Sequence, residues 1–145
     1  MRIIILFLIL STNTIAEEII GVPRIVDGDT VHIKEYKIRL EGIDAPEIRQ
    51  KCKKEKLKIS SVIGYTFYED YYCGKVSKEN LDGKINGSKI KCVSSSKDRY
   101  KRYLATCFKD EVNLNQWMVR NGHAVAYRRY SKKYILDEDF AKENK

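Results

Sequence analysis

Residues 19–43 constrain the fold most, because they crowd two or three short strands into 25 residues. Residues 19–26 are rich in β-branched side chains, and the Asp27-Gly28-Asp29 segment that follows is a strong turn signal. Residues 30–34 and 36–43 alternate between apolar and polar positions, which is typical of half-buried strands. A small antiparallel sheet is therefore predicted near the N-terminus.

The middle of the chain predicts one helix and a second pair of strands. Apolar residues recur near helical spacing over 74–86. Residues 89–93 and 103–108 indicate strands that neighbour each other in a hairpin, with a loop over 94–98. Residues 51–58 carry five lysines and are expected to form a solvated helix or a loop.

Two further helices are predicted toward the C-terminus. Asn113 followed by Gln116 resembles a capping box, and Gly122 ends the helix that this box begins. Ser131 is expected to cap a last helix. The sequence stops at Lys145 within the apolar pattern of that helix, so we expect a C-terminal end that is truncated.

The first 16 residues have the features of an export signal. Arg2 supplies a positive start, residues 3–10 are an unbroken apolar run, and residues 14–16 fit a cleavage site. The run is far shorter than the roughly 20 residues that span a bilayer, so an uncleaved membrane anchor is the weaker alternative. We predict a signal peptide over 1–16, one domain over 17–145, and export to the periplasm or the medium.

The chain has four cysteines, and none of them form a C-x-x-C pair, which argues against a structural zinc site. An even number in a small exported domain favours two disulfides, for which three pairings exist. The predicted hairpin places Cys92 beside Cys107, which leaves Cys52 with Cys73. The alternative is four buried free thiols.

Charge and three polar clusters point to a phosphate-containing substrate. The formal net charge is +8, which favours an anionic partner such as nucleic acid or an anionic membrane surface. The clusters are Asp27-Gly28-Asp29-Thr30, Arg39 with the segment Asp44-Ala45-Pro46-Glu47, and Asp98-Arg99-Tyr100-Lys101-Arg102. Carboxylates suit Ca²⁺, a glutamate can serve as base, and arginines fork onto phosphate oxygens. Each cluster alone is more often an ordinary turn or strand end, but together they favour phosphodiester hydrolysis.

These clusters resemble the motifs of the staphylococcal nuclease (thermonuclease) family. The matching stretches are residues 25–31 (IVDGDTV), 38–47 (IRLEGIDAPE) and 98–105 (DRYKRYLA), and the resemblance covers about 25–145. It implies an α+β fold, a five-stranded OB-fold β-barrel with about three helices. The four cysteines resemble exported bacterial members of the family.

The resemblance also implies a role for particular residues of this chain. Asp29, Asp44 and the backbone carbonyl of Ala45 correspond to calcium ligands, and Asp27 to an acid just outside them. Glu47 corresponds to the proposed general base, Arg39 and Arg102 to phosphate-binding arginines, and Tyr100 and Tyr127 to tyrosines that contact the substrate. Lys101 departs from the family, which usually has Gly there, and would strain the turn or shift Arg102 if positive φ is required.

The sequence thus predicts a monomeric calcium-dependent endonuclease that cuts DNA and RNA and prefers single-stranded or frayed substrate. It is expected to form no stable membrane association once the signal is removed. The alternative is an OB-fold module that binds nucleic acid without cutting it. A disulfide-bonded protein that recognises another protein is a third possibility, and no feature of the sequence supports it.

Overall fold

A computed structural model describes residues 16–59 and 65–144. Residues 1–15, which form most of the predicted export signal, lie outside the described residues. Within the described ranges, none of the helices is sufficiently long and apolar to cross a bilayer.

Eleven strands and three helices make up the described chain. They are β1 (Glu17–Gly21), β2 (Arg24–Ile25), β3 (Thr30–Ile33), β4 (Tyr36–Leu40), β5 (Ile43–Asp44), β6 (Cys52–Ile59), β7 (Tyr65–Tyr71), α1 (Cys73–Ile85), β8 (Ile90–Lys97), β9 (Tyr103–Lys109), β10 (Val112–Asn113), α2 (Leu114–Arg120), β11 (Val125–Ala126) and α3 (Ile135–Glu143).

The main sheet has the strand order β1-β8-β9-β4-β3-β2, and β10 pairs with β9. Its five longer strands are β1, β3, β4, β8 and β9, and the sheet curls strongly into a half-barrel. The β4–β9 pair is parallel, whereas the other pairs of this sheet are antiparallel. The α+β OB-fold class predicted from the sequence is confirmed.

The core lies between the concave face of the sheet and the helices. Alternate residues of β3 and β4 point into it, as the sequence pattern predicts. The α2 helix contributes three fully buried apolar side chains, Leu114, Met118 and Val119. Asn113 caps this helix as expected, because its side chain accepts a hydrogen bond from the Gln116 N–H at 3.1 Å. The Gln116 side chain, however, contacts Asp137 of α3 instead of completing the capping box.

Both disulfides follow the pairing that the hairpin argument favours. Cys92 and Cys107 are directly opposite each other on β8 and β9 and are bonded. Cys52, at the start of β6, is bonded to Cys73, at the start of α1. Two disulfides fit a non-reducing, exported environment.

The lysine-rich segment 51–58 is mostly a strand, so its interpretation as helix or loop is wrong. Residues 52–59 pair with 65–71 in a separate two-stranded hairpin. Lysines of one strand face acids of the other, with Lys53 opposite Asp70 and Lys54 opposite Glu69. Cross-strand pairs of opposite charge stabilise such a hairpin.

Two other element bounds also differ from the prediction. Residues 94–97 belong to β8 and not to a loop, because the strand continues to pair with β9 beyond a bulge between Ser94 and Ser96. At this bulge the Ser94 hydroxyl lies within hydrogen-bond distance of the carbonyl oxygens of Ser96 and Leu104. The last helix begins at Ile135 and has no side-chain cap. Ser131 instead accepts a hydrogen bond from the Lys133 N–H within the preceding turn.

Candidate functional site

Residues of the second and third clusters line one open cavity of about 570 Å³, and the first cluster reaches it through the ion pair of Asp29 with Arg39. Parallel pairing of β4 with β9 sets Arg39 opposite Leu104, so the turn between β8 and β9 comes to the same edge as β4. Pairing of β5 with β11 brings the segment after β11 to this edge as well. Six of the predicted site residues line the cavity, namely Arg39, Asp44, Glu47, Tyr100, Arg102 and Tyr127.

Arg39 joins two carboxylates that come from different loops. Its Nη1 donates to Asp29 Oδ1 at 3.0 Å, and its Nη2 donates to Asp44 Oδ1 at 2.8 Å. Burial of Arg39 acts to lower its pKa, but the two carboxylates outweigh burial and raise it, so the guanidinium remains charged. The same guanidinium lies 5.8 Å from the centre of the Tyr127 ring. Asp29 and Asp44 thus converge on a single group at the cavity wall.

Asp29 lies behind the cavity wall and is only 4% exposed. Besides Arg39, it accepts hydrogen bonds from the Thr30 hydroxyl at 2.8 Å and from the Ala45 N–H at 3.0 Å. Burial raises the pKa of Asp29 to about 6, even though Arg39 and Ala45 oppose this change. A buried carboxylate with a raised pKa is a common feature of functional sites.

The turn that presents Asp29 has little room for side chains. Asp27 Oδ1 accepts the Asp29 N–H at 3.0 Å and so fixes the turn. A Cβ atom on Gly28 would lie 1.9 Å from the Ser77 hydroxyl and 2.8 Å from the Ala45 side chain. Glycine is therefore required where the turn contacts α1. Asp27 acts on the site by holding the backbone of Asp29.

Glu47 is held in position by the start of α1. The Gln50 N–H donates to the Glu47 carbonyl at 2.7 Å, and the Glu47 N–H donates to the Gln50 side chain at 3.3 Å. A Cβ atom on Gly74 would lie 1.7 Å from the Glu47 carbonyl oxygen, so this backbone approach requires glycine. The neighbouring Cys52–Cys73 disulfide fastens the other end of the loop. The exposed Glu47 carboxylate thus extends from a well-anchored segment.

Arg102 is held by Asp98 at the base of the turn between β8 and β9. Asp98 accepts from Arg102 Nε at 2.8 Å and from the Arg102 N–H at 2.9 Å. Burial acts to raise the pKa of Asp98, but the hydrogen bonds from Arg102 and Tyr100 outweigh it and lower the pKa. The Tyr100 ring is 64% exposed, with the Arg99 and Arg102 guanidiniums 4.9 and 5.5 Å from its centre.

Lys101 has a φ of 63°, so the turn does require the left-handed conformation. We expect Lys101→Gly to raise the free energy of unfolding by up to about 1 kcal/mol, because glycine adopts this conformation without a Cβ clash. Lys37→Gly, within strand β4, is the matched control and should lower it by about 0.5–1 kcal/mol. Denaturant titration of both variants measures the difference. A decrease in stability for Lys101→Gly would show that the turn tolerates lysine without strain.

Two residues to which the sequence assigned no role also belong to the cavity wall. Arg99 and Tyr130 line it, and the Tyr130 ring centre lies 4.9 Å from that of Tyr127. The presence of a second tyrosine three residues after Tyr127 is the sequence feature that could have indicated Tyr130. Asp29 and Ala45 do not line the cavity. Within 16–59 and 65–144, His, Cys, Asp and Glu side chains form no cluster of three or more suited to a metal.

Comparison with known proteins identifies the family. Residues 37–145, most of the chain, match the family described as staphylococcal nuclease homologue. The chain belongs to the staphylococcal nuclease family. It is also 37% identical over 112 residues to the succinoglycan biosynthesis protein ExoI of Rhizobium meliloti (strain 1021), an alignment that covers 76% of this chain and 53% of that protein.

Other relatives of this family member are named as endonucleases. An uncharacterized endonuclease of Haemophilus influenzae (strain ATCC 51907 / DSM 11121 / KW20 / Rd) is 30% identical over 134 residues, which cover 89% of this chain and 64% of the relative. One of Escherichia coli is 32% identical over 120 residues, which cover 79% and 65%. The chain therefore spans between about half and two thirds of the length of these curated relatives.

Proposed function

We propose that this chain is an endonuclease that hydrolyses phosphodiester bonds of DNA and RNA with the help of calcium. The proposal rests mainly on one observation: Arg39, Arg102 and Glu47 line the same cavity, with two carboxylates at its Arg39 edge. Two arginines can stabilise the charge that develops on a phosphate during cleavage, and a carboxylate can take the proton of the attacking water. Family membership and the names of the relatives support the same reaction.

The oxygen donors at the Arg39 edge suit calcium, which prefers carboxylate and carbonyl ligands. Asp29 and Asp44 would hold the ion, together with the carbonyl of Ala45. The burial that raises the pKa of Asp29 makes a nearby cation favourable, because a cation stabilises the ionised carboxylate. When bound, calcium would supply positive charge at the phosphate.

The protein groups have separate tasks in the proposed reaction. Glu47 accepts a proton from the attacking water, whose oxygen forms the new bond to phosphorus as the bond to the leaving oxygen breaks. The leaving oxygen takes up a proton from solvent and departs as a hydroxyl group. Arg39 and Arg102 donate hydrogen bonds to the phosphate oxygens, where negative charge develops. Because carboxylates already fix both guanidiniums, little reorganisation accompanies the reaction.

The tyrosines favour a substrate with accessible bases. Tyr100 is exposed beside Arg102, and Tyr127 lies beside Arg39. Stacking of bases on such rings tolerates any sequence but needs unpaired bases. We therefore propose a preference for single-stranded or frayed DNA and RNA. We also propose that the protein acts as a monomer after export to the periplasm or the medium, without stable membrane association.

Calcium binding is expected to weaken about tenfold per pH unit as the pH falls below the Asp29 pKa of about 6. The sign follows because calcium binds the ionised carboxylate, so below this pKa it must displace the proton that the calcium-free protein holds on Asp29. Calorimetric titration from about pH 7 to about pH 5 measures the slope. A calcium affinity independent of pH in this range would contradict a role for Asp29 as ligand.

The substrate proposal is tested by the rates on native DNA, heat-denatured DNA and RNA, each with calcium or with a chelator. We expect faster cleavage of denatured DNA and RNA than of native DNA, and none with the chelator. Equal rates on native and denatured DNA would contradict the preference. Salt-dependent binding without cleavage in calcium would instead favour a non-catalytic OB-fold module. This module is the second candidate function because Lys101, next to Arg102, has the left-handed conformation.

A further inference from the structure

A second groove of about 450 Å³ lies on the other side of the Glu47 segment. Its wall is formed by Ile48, Arg49, Tyr72, Lys75, Lys78 and Glu79. Glu47 lines the first cavity and the next residue lines the second groove. Because consecutive Cα atoms are only about 3.8 Å apart, a thin ridge of backbone separates the two.

The groove combines an exposed aromatic ring with positive charge. Tyr72 is 52% exposed and Ile48 is 39% exposed, so the floor is partly apolar. The Lys51 ammonium lies 5.1 Å from the centre of the Tyr72 ring. Lys75 is 66% exposed and makes a long ion pair of 3.7 Å with Glu79, which leaves its charge available to a ligand. Among the described residues, three cations and one carboxylate line this groove with Tyr72, and Lys51 adds a fourth cation at the ring.

We propose that this groove binds nucleotides of the substrate strand that lie beyond the cleavage site, with a base stacked on Tyr72 and phosphates at the surrounding cations. The inference rests on the proposed nuclease function and extends it to a longer binding path. An exposed ring with cations around it is the arrangement that binds single-stranded nucleic acid without sequence preference. Contact with an anionic membrane would not require an aromatic ring in a groove.

The anchoring of the ridge supports a continuous path. Gly74 packs against the Glu47 carbonyl, and the Cys52–Cys73 disulfide ties the adjoining loop to α1. The backbone segments that carry Tyr72 and Glu47 are therefore held close to each other. A strand that crosses the ridge would meet both sites without a conformational change.

The test measures binding of short and long oligothymidylates to the full chain in calcium, in a Glu47→Gln background that avoids cleavage. We expect Tyr72→Ala to weaken binding of the long oligomer by about 5- to 100-fold and to leave the short one unchanged. Tyr72→Phe should restore the affinity, because it keeps the ring. The exposed Tyr68 of the hairpin provides the control Tyr68→Ala, which should bind like the parent.

The cations give a second, independent readout. Arg49→Gln and Lys78→Gln should each reduce the slope of log affinity against log salt by about one for the long oligomer. Three results would overturn the proposal. Tyr72→Ala could weaken binding of both oligomers equally, or it could weaken binding of neither. It could also abolish binding to anionic vesicles while binding of the oligomers stays unchanged. Since binding is measured without cleavage, failure of the nuclease proposal appears separately, as absence of wild-type turnover.

Discussion

Arg39→Ala is expected to lower kcat by about 10³-fold or more, with a much smaller effect on substrate affinity. The guanidinium is bonded to Asp29 and Asp44 and lines the cavity beside Tyr127. Removal of a fixed donor from a developing negative charge typically costs 10²- to 10³-fold, and an arginine that stabilises a phosphoryl transition state contributes about 10³- to 10⁵-fold. Arg39→Lys keeps the charge but lacks the planar fork, so it should recover only a small part of the rate.

The measurement is kcat and KM on a single-stranded oligonucleotide at saturating calcium, with a denaturant titration to verify folding. Arg24→Ala provides the control, because Arg24 is an exposed strand residue whose guanidinium contacts His32 outside the cavity. It should retain the parent kcat. A folded Arg39→Ala protein with wild-type kcat would show that Arg39 only neutralises the two carboxylates.

Asn115→Ala is expected to lower the free energy of unfolding by about 3 kcal/mol, since it leaves buried backbone groups without partners. Asn115 is fully buried in α2. Its side chain accepts from the Cys107 N–H at 3.0 Å and donates to the carbonyls of Glu41 at 2.9 Å and Ala105 at 3.0 Å. It therefore ties α2 to β9 and to the turn that leads from β4 to Asp44.

Denaturant titration of the oxidised protein measures this effect. The matched control is Asn80→Ala, since the Asn80 side chain donates to the Val76 carbonyl within its own helix. Solvent can replace that bond, so the loss should stay below about 1 kcal/mol. Equal losses in the two variants would contradict a structural role for the buried Asn115 network.

The sequence predicts local features of this fold well. The turn at Asp27-Gly28-Asp29, the alternation in β3 and β4, and the Asn113 cap are encoded within a few neighbouring residues. The β6–β7 hairpin was missed because its lysines show no apolar alternation, and its stability depends on acids about 15 residues away. Pairing over such distances is not visible in local propensity.

The candidate site shows the same division between local and long-range information. Motif resemblance predicts the identity of Arg39, Glu47 and Arg102, and the structure places all three at one cavity. The burial of Asp29 could not be predicted, because it depends on the contact with Ala45 and on the close approach of the neighbouring Gly28 to Ser77 of α1. The support that Gly74 gives to Glu47 is likewise a contact between segments that are distant in sequence.

The most direct test of the central claim is digestion of heat-denatured DNA by the oxidised chain in calcium, beside Glu47→Gln and Glu111→Gln. Glu111 is an exposed turn residue and serves as the matched carboxylate control. We predict calcium-dependent cleavage by the parent and by Glu111→Gln, and loss of about 10²- to 10⁴-fold in Glu47→Gln. Cleavage by Glu47→Gln at the parent rate, or none by the folded parent chain, would contradict the proposed site.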